Sequence, residues 1–171
     1  MNRDFEYLEL LLEDFFSQND LTKKLASISE SPLITGWVNW LQIEFALFLD
    51  AHETQPEWKR EAEFEMDLRK EKEKQTMKAD FIIRKKGWKK DMFLALEMKQ
   101  AKSPKQCVNL MIKDLHKVSK IKKSTDNMRS LWILGIFETS ENASISSSEL
   151  EDYEIVIHKK INNTNFSFIV I

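Results

Sequence analysis

The chain has 171 residues, of which 42% are hydrophobic, and contains three Gly, three Pro and one Cys. This length and composition suit a single α/β domain with one hydrophobic core and argue against disorder. The acidic start lacks the basic segment of a signal peptide, and no stretch has the roughly 18 apolar residues of a membrane span. We therefore expect a soluble cytoplasmic protein without disulfides, in which Cys107 is a core residue.

Positive and negative charges are segregated along the chain. The formal net charge is -2, yet residues 59–123 hold 20 of the 26 Lys and Arg residues and only 10 of the 28 Asp and Glu residues. A basic region on an acidic body predicts a surface that binds a polyanion. A lysine-rich segment is also common as a solvated face, so both interpretations stay open.

Three helices are predicted in the first third of the chain. The first has apolar residues at helical spacing, namely Phe5, Leu8, Leu11, Leu12 and Phe15. Asp20 suits the N-cap of a second helix, and Ser31-Pro32 suits the start of a third. Residues 1–30 are expected to form a helical extension ahead of the core.

Three strands and a further helix are predicted next. Residues 62–70 alternate apolar and polar side chains, as a half-buried strand does, and residues 79–83 and 92–98 are apolar runs. Ser103-Pro104 suits the start of a helix. The apolar stripe of this helix consists of Cys107, Val108, Met111, Ile112, Leu115 and Val118.

The last part of the chain is predicted to be mostly strand. A buried strand at residues 129–137 is followed by a Ser-rich loop and by a closing hairpin turned at residues 162–165. The order of elements predicts an α/β (α+β) fold, with N-terminal helices before a central mixed sheet flanked by helices. We expect one domain over residues 1–171, with its core at 31–138 and a closing segment at 139–171.

The hairpin between the second and third strands carries charge within its apolar runs. Gly87 suits the first central position of a two-residue type II′ turn, which would pair Ile82 with Phe93. This register gathers three charged residues on one face: Asp80, Glu97 and Lys99. An unpaired carboxylate in a buried strand is costly or takes up a proton, so the pattern predicts a compensating cation.

A third acid lies within an apolar helical stripe. At about 100° per residue, this stripe of the third helix contains Trp37, Trp40, Leu41, Phe45 and Phe48. Glu44 falls near the middle of the stripe, where a glutamate is rare unless it is paired or binds a metal. If the helix packs on the same face of the sheet, Glu44 reaches Asp80 and Glu97.

This arrangement resembles the PD-(D/E)xK nuclease superfamily, which has the restriction-endonuclease-like αβββαβ fold. The likeness covers about half of the chain and rests on helix-borne Glu44, on Asp80 at a strand start, and on the Glu97-Met98-Lys99 segment of the partner strand. The sequence departs from the family in having alanine where the proline of the motif would stand. The Gln-x-x-x-Tyr pattern of one branch is also missing.

The resemblance implies a site in which carboxylates bind Mg²⁺, or Mn²⁺, and a lysine orients or activates water. By position in the sequence, the catalytic set is Glu44, Asp80, Glu97 and Lys99. The carbonyl of Met98 would be a metal ligand together with the three acids, and Gln100 would support the site from its edge. Carboxylate oxygens suit these hard ions, and no Cys or His lies nearby for zinc.

A basic face is expected to hold the nucleic acid. Its residues lie around the hairpin turn and on the helix after it: Lys85, Lys86, Lys89, Lys113, Lys117 and Lys120. Binding through such lysines depends strongly on salt. Trp88, at the tip of the hairpin, either stacks on a base or packs on a neighbouring loop.

The sequence thus predicts a Mg²⁺-dependent nuclease that hydrolyses phosphodiester bonds, in DNA rather than RNA because most members of the superfamily act on DNA. The alternative is a catalytically silent protein of this fold that binds nucleic acid or protein in a defence, repair or mobile-element system. A purely structural interpretation also stays open, in which Asp80 is a strand-start residue bonded to the preceding turn, and Glu97 and Lys99 form a cross-strand salt-bridge set with Lys78. In either case the amphipathic first helix is a candidate surface for a homodimer or a larger complex.

Overall fold

A computed structural model describes residues 3–31, 33–73, 75–89, 93–121, 128–139 and 157–171. Over these ranges the chain forms four helices and six strands, and the α+β fold predicted from the sequence is confirmed. The helices are α1 (Arg3–Ser17), α2 (Asn19–Glu30), α3 (Val38–Ala51) and α4 (Pro104–Val118). The strands are β1 (Glu57–Glu65), β2 (Thr76–Arg84), β3 (Phe93–Ala101), β4 (Met128–Glu138), β5 (Ile157–Lys160) and β6 (Phe166–Val170). Among the helices described, none has the length and apolar character to cross a membrane.

The six strands form one mixed sheet in the order β1-β2-β3-β4-β6-β5. β3 and β4 run parallel and are joined by α4, whereas the other four neighbouring pairs are antiparallel. The face that carries Phe81, Leu96 and Met98 packs against α1, α2 and α3. The face that carries Ile133 and Ile169 packs against α4. Helices therefore cover both faces of the central strands.

The first helix buries its apolar face inside this protein. Its buried apolar residues are Phe5, Tyr7, Leu8, Leu11, Leu12, Phe15 and Phe16. Phe16 stacks on Phe168 of β6 with ring centroids 4.8 Å apart. The amphipathic face that the sequence offered as a docking surface is thus occupied by the protein's own sheet, and residues 3–30 belong to the main core.

The third helix begins later than the sequence predicts. Ser31 is the C-cap of α2, where its N–H donates to the carbonyl of Ile28 at 3.1 Å. Pro32 lies outside the described residues. Residues 33–36 are not helical, and Gly36 has φ of 68°, a left-handed conformation that a helix start does not use. α3 therefore starts at Val38.

The first strand begins and ends earlier than predicted, and its early end is explained by a tight local turn at Asp67. The carboxylate of Asp67 accepts hydrogen bonds from the backbone N–H of Arg69 at 3.1 Å and from its guanidinium at 2.8–2.9 Å. Such a side-chain bond two residues along the chain is typical of turns. Leu68, predicted to be buried, is consequently 61% exposed.

The start of α4 and the closing hairpin are confirmed. Ser103 caps the helix, its hydroxyl accepting from the N–H of Gln106 at 3.3 Å. Cys107 is fully buried, as predicted, and burial raises the pKa of its thiol to about 12. β5 and β6 pair antiparallel around residues 161–165. The Ser-rich loop, apart from Thr139, lies outside the described residues.

Candidate active site

The paired strands β2 and β3 separate where Asp80 and Glu97 face each other. Their backbone pairing ends at Phe81 and Leu96, although β2 continues beside β1 and β3 continues beside β4. One step further in the same register, Asp80 stands opposite Glu97. The carboxylate of Asp80 bridges the separating strands by accepting a hydrogen bond from the backbone N–H of Met98 at 2.7 Å.

The register of this hairpin differs by two residues from the prediction. Ile82 pairs with Ala95. The N–H of Trp88 donates to the carbonyl of Lys85 at 3.0 Å, so Gly87, with φ of 90°, is the third residue of the turn and not the second. Because side chains alternate with a period of two, a shift of two residues leaves every side chain on the predicted face.

β3 directs Glu97 and Lys99 toward α4, since Leu96 and Met98 on the same strand pack against the other helices. Nζ of Lys99 lies 3.4 Å from Oε2 of Glu97 and 2.5 Å from Oδ2 of Asp114, a residue of α4. The sequence analysis missed Asp114. The structure therefore brings together Asp80, Glu97 and Lys99, as predicted, and adds a third acid from the helix that follows.

Of the buried groups in this cluster, Glu97 has the least support for its charged form from nearby cations. It is only 5% exposed. Burial raises the pKa of Glu97 to about 8, and the negative charge of Asp80 adds to the rise, while the ammonium of Lys99 opposes it. In the absence of a further cation, the carboxyl group of Glu97 therefore keeps its proton to a higher pH than an ordinary glutamate does.

Lys99 and Asp114 stabilise each other's charged forms. Burial alone would lower the pKa of Lys99, but the carboxylates of Asp114 and Glu97 outweigh this effect and raise it. Burial likewise would raise the pKa of Asp114, but hydrogen bonds from Lys117 and Lys99 hold it below its ordinary value. Lys99 is thus engaged by Asp114, and its positive charge compensates Glu97 only in part.

A cavity of about 500 Å³ lies over this cluster. Three parts of the chain form its walls, namely the loop between β1 and β2, the adjoining sheet and α4. The lining residues are Met66, Glu71, Glu73, Thr76, Met77, Lys78, Glu97, Lys99, Asp114, Lys117 and Lys120. Glu97 and Lys99 are therefore accessible from the cavity, and the half-buried Asp80 lies next to Glu97.

Glu44 is not part of this cluster. Its Oε1 accepts hydrogen bonds from Nζ of Lys24 at 2.6 Å and from Nε1 of Trp40 at 3.0 Å. α3 packs on the sheet face opposite α4, where the ring of Phe45 meets that of Phe81 with centroids 5.2 Å apart. The sheet thus stands between Glu44 and the acids that face α4.

The orientation of α3 explains why Glu44 lies elsewhere. Besides the predicted stripe, α3 also buries Gln42, Ala46 and Leu49, so the centre of its buried face is rotated away from Glu44. Gln42 is held inside by a hydrogen bond from Nη2 of Arg60 at 3.2 Å. Glu44 consequently lies at the flank of the helix, with a side chain 24% exposed.

Gln100 also faces away from the cluster. Being next to Lys99 on a strand, it points to the opposite face of the sheet. There it lines a separate cavity of about 360 Å³ together with Trp37 and Lys102. The resemblance implied that Gln100 supports the acids from the edge of the site. In the structure, Gln100 lies on the other face of the sheet and does not contact them.

Lys78 does not form the salt-bridge set with Glu97 that the purely structural interpretation predicted. Its Nζ lies 3.6 Å from Glu61 and 3.5 Å from Glu63, both on β1. Glu61 adopts φ of 50°, and the pairing of β1 with β2 skips it at the position opposite Asp80. The sheet is thus irregular on both sides of Asp80.

The predicted nucleic-acid-binding lysines fall into two groups. Lys85, Lys86 and Lys89 are exposed at the hairpin turn, and the ammonium of Lys85 lies 5.5 Å from the ring centroid of Tyr7 on α1. Trp88 packs edge-on against the same Tyr7, with centroids 5.5 Å apart, so it is engaged by α1 and not free to stack on a base.

The second group of lysines lies on and just after α4, beside the cavity. Lys117 pairs with Asp114, and Lys120 pairs with Glu71 at 2.9 Å. Lys113 is exposed on the same helix. This second group is therefore the one positioned to contact a substrate at Glu97.

Comparisons with protein-family models, with curated proteins and with solved structures found no match for this chain. Within the described ranges, no group of three or more His, Cys, Asp and Glu side chains is arranged to hold a metal ion. Mg²⁺ commonly takes only one or two carboxylates and keeps several waters. The Asp80 and Glu97 pair fits that ion in type and number of donors.

Proposed function

We propose that this chain is a Mg²⁺-dependent nuclease whose active site consists of Asp80, Glu97 and Lys99. The observation that carries the proposal is the burial of Glu97 beside Asp80, where β2 and β3 separate below a cavity. Burial raises the pKa of Glu97 to about 8, and the negative charge of Asp80 adds to the rise. A bound divalent cation would offset both effects. A site built only for stability would be expected to pair such a buried acid fully.

Each residue has a distinct task in this proposal. Asp80 and Glu97 would hold Mg²⁺, with the backbone of Met98 adjacent to Asp80. The bound ion would neutralise charge on the phosphodiester and make water more acidic. Lys99 presents an ammonium 3.4 Å from Glu97, where it would orient water or stabilise the added negative charge of the transition state. Asp114 holds that ammonium in place.

The substrate proposed is a nucleic acid, and DNA in preference to RNA. Lys113 and Lys117 on α4 would contact phosphates on either side of the reacting one. These contacts carry no base recognition, so we expect weak sequence preference and strong salt dependence.

The proposal is tested by incubating the purified protein with plasmid, linear duplex and single-stranded DNA in Mg²⁺, Mn²⁺ or EDTA. Asp80→Asn and Lys99→Ala are compared with the wild type and with Glu44→Gln, which removes a carboxylate outside the cluster. We expect cleavage in Mg²⁺ or Mn²⁺, loss of cleavage in EDTA and in both site variants, and unchanged cleavage by Glu44→Gln. Cleavage that survives Asp80→Asn would refute the assignment.

One observation favours a second candidate, a silent protein that binds nucleic acid or protein. Glu44, the third acid implied by the family pattern, is paired with Lys24 and separated from the cluster by the sheet. In this alternative, folded protein binds DNA in Mg²⁺ without turnover. The same incubation, accompanied by a gel-shift measurement, distinguishes the two candidates.

A further inference from the structure

The loop between β1 and β2 is fastened across the cavity to the end of α4. The backbone N–H of Asp67 donates to the carbonyl of Lys120 at 2.8 Å, and Met66 forms a β-bridge with Ile121. Lys120 in turn pairs with Glu71 of the loop at 2.9 Å. The cavity over Glu97 is therefore bounded on this side by the described part of the loop.

Glu97 lies deep within this bounded cavity. Its side chain is 7% exposed, and that of Asp114 beside it is 9% exposed. A reacting phosphate must descend between the loop and α4 to reach these groups. In a duplex each phosphate is fixed between its neighbours and close to the second strand, whereas a single strand bends and enters a recess.

Among the described residues that line the cavity, acids and lysines are equal in number. Its lining has four lysines, Lys78, Lys99, Lys117 and Lys120, and four acids, Glu71, Glu73, Glu97 and Asp114. A duplex carries one phosphate charge about every 1.7 Å along its axis, so a surface that binds one needs an extended excess of positive charge. A balanced recess suits a short contact with one strand. The described lining includes no aromatic side chain, so bases have no stacking platform there.

From the bounded cavity, the depth of Glu97 and the balanced charge, we infer that the substrate is a single-stranded polynucleotide, or the frayed end of a duplex, held by its backbone. This inference rests on the proposed nuclease function. Three lysines would contact phosphates, namely Lys78 and Lys117 at the cavity, which would exchange a carboxylate partner for a phosphate, and the exposed Lys113 of α4. Lys120 would stay paired with Glu71. Binding should therefore fall with salt with a logarithmic slope of about -2.

The test uses one labelled sequence in three forms, namely a single strand, a blunt duplex and a duplex with a single-stranded overhang, each in Mg²⁺. We expect the single strand and the overhang to be cleaved at least about tenfold faster than the duplex interior. Duplex cleavage at an equal or higher rate would overturn the inference while leaving the nuclease function intact. Failure to cleave any form, by folded protein, would overturn the nuclease function itself.

A pair of loop variants tests whether the fastened loop causes the preference. Glu71→Ala removes the ion pair with Lys120, whereas Glu73→Ala removes the same charge from the same loop and leaves that ion pair in place. We expect Glu71→Ala, but not Glu73→Ala, to reduce the ratio of single-strand to duplex cleavage by about two- to fivefold, the range of a partly exposed ion pair. Equal ratios in the two variants would overturn the role of the loop.

Discussion

Glu97 makes the stability of the metal-free protein depend on pH. Its folded pKa of about 8 lies above the 4.5 of an ordinary glutamate. Between these values the folded state keeps a proton that the unfolded state has lost, so stability falls as the pH rises from about 5 to about 8. Glu97→Gln removes this contribution, which is on the order of a few kcal/mol.

Urea unfolding in EDTA at pH 5 and pH 8 measures this dependence. We expect wild type to lose more stability over this interval than Glu97→Gln does. Glu44→Gln is the matched control, since Glu44 is partly exposed and paired with Lys24, and it should keep the dependence of the wild type. Identical losses in wild type and Glu97→Gln would contradict the argument.

Asp114 is expected to act by positioning Lys99. Asp114→Ala frees the ammonium that Asp114 now holds at 2.5 Å, and groups that orient a catalytic side chain are typically worth about 10–100-fold in activity. We therefore expect a fall of that size in kcat with KM little changed. Asp114→Asn keeps an oxygen acceptor for Lys99 and should lose less.

Lys117→Ala separates this positioning role from substrate binding. It removes the other partner of Asp114 but leaves the Lys99–Asp114 pair in place, so KM should rise while kcat is kept. Melting curves of all variants are needed to check that they are folded. An unchanged kcat in folded Asp114→Ala would show that Asp114 serves only the packing of α4.

The reasoning that selected Glu44 from the sequence applies equally to Asp114. Asp114 follows Cys107 by seven residues and Met111 by three, so it lies at the edge of the apolar stripe of α4. A carboxylate beside a buried helical stripe thus occurs in both helices, but it belongs to the cluster only in α4. Periodicity alone does not say which face of the sheet each helix covers. The face covered by each helix determines that Asp114, and not Glu44, lies beside Glu97.

At the scale of the elements, the hairpin of β2 and β3 was located from its apolar runs, but its register was not. Turn chemistry around Gly87 permits two registers that differ by two residues and keep the same faces. The predicted register already placed Asp80, Glu97 and Lys99 on one face. The predicted register did not reveal that β2 and β3 separate at Asp80. This separation depends on how β1 pairs with β2 and how β4 pairs with β3.

The contact between β4 and α4 depends on Gly135. A Cβ atom at this position would lie 2.4 Å from Sδ of Met111 and 2.6 Å from Sγ of Cys107. Gly135→Ala therefore forces α4 or its side chains to move, and overpacking of this kind typically costs about 1–3 kcal/mol. Thermal or urea unfolding checks this loss.

A second variant tests the cause of that loss. Cys107→Ala removes one of the two sulfur atoms that would be crowded, so Gly135→Ala should cost less in the Cys107→Ala background than in wild type. The same cost in both backgrounds would show that Cys107 is not the source of the strain.

At the scale of the whole molecule, the sequence predicted the mixed sheet and the helices on both of its faces. It treated the first 30 residues as an extension, because an amphipathic helix has the same periodicity whether it covers its own sheet or a partner. The segregated charge was likewise visible in the sequence, but not the two separate groups that its lysines form. Contacts such as Lys85 with Tyr7 join residues far apart in the chain.

Binding of Mg²⁺ should raise the stability of the whole protein if Asp80 and Glu97 hold the ion. For a dissociation constant of about 1 mM, 10 mM Mg²⁺ stabilises the folded state by about 1.4 kcal/mol, or about 3–6 °C in Tm for a chain of this size. The comparison is made at pH 8, near the pKa of Glu97, because Mg²⁺ then competes less with the proton than it does at lower pH. We expect the shift in wild type and in Glu44→Gln, and its loss in Asp80→Asn. Equal shifts in all three proteins would mean that Mg²⁺ binds elsewhere, whatever the cleavage assay shows.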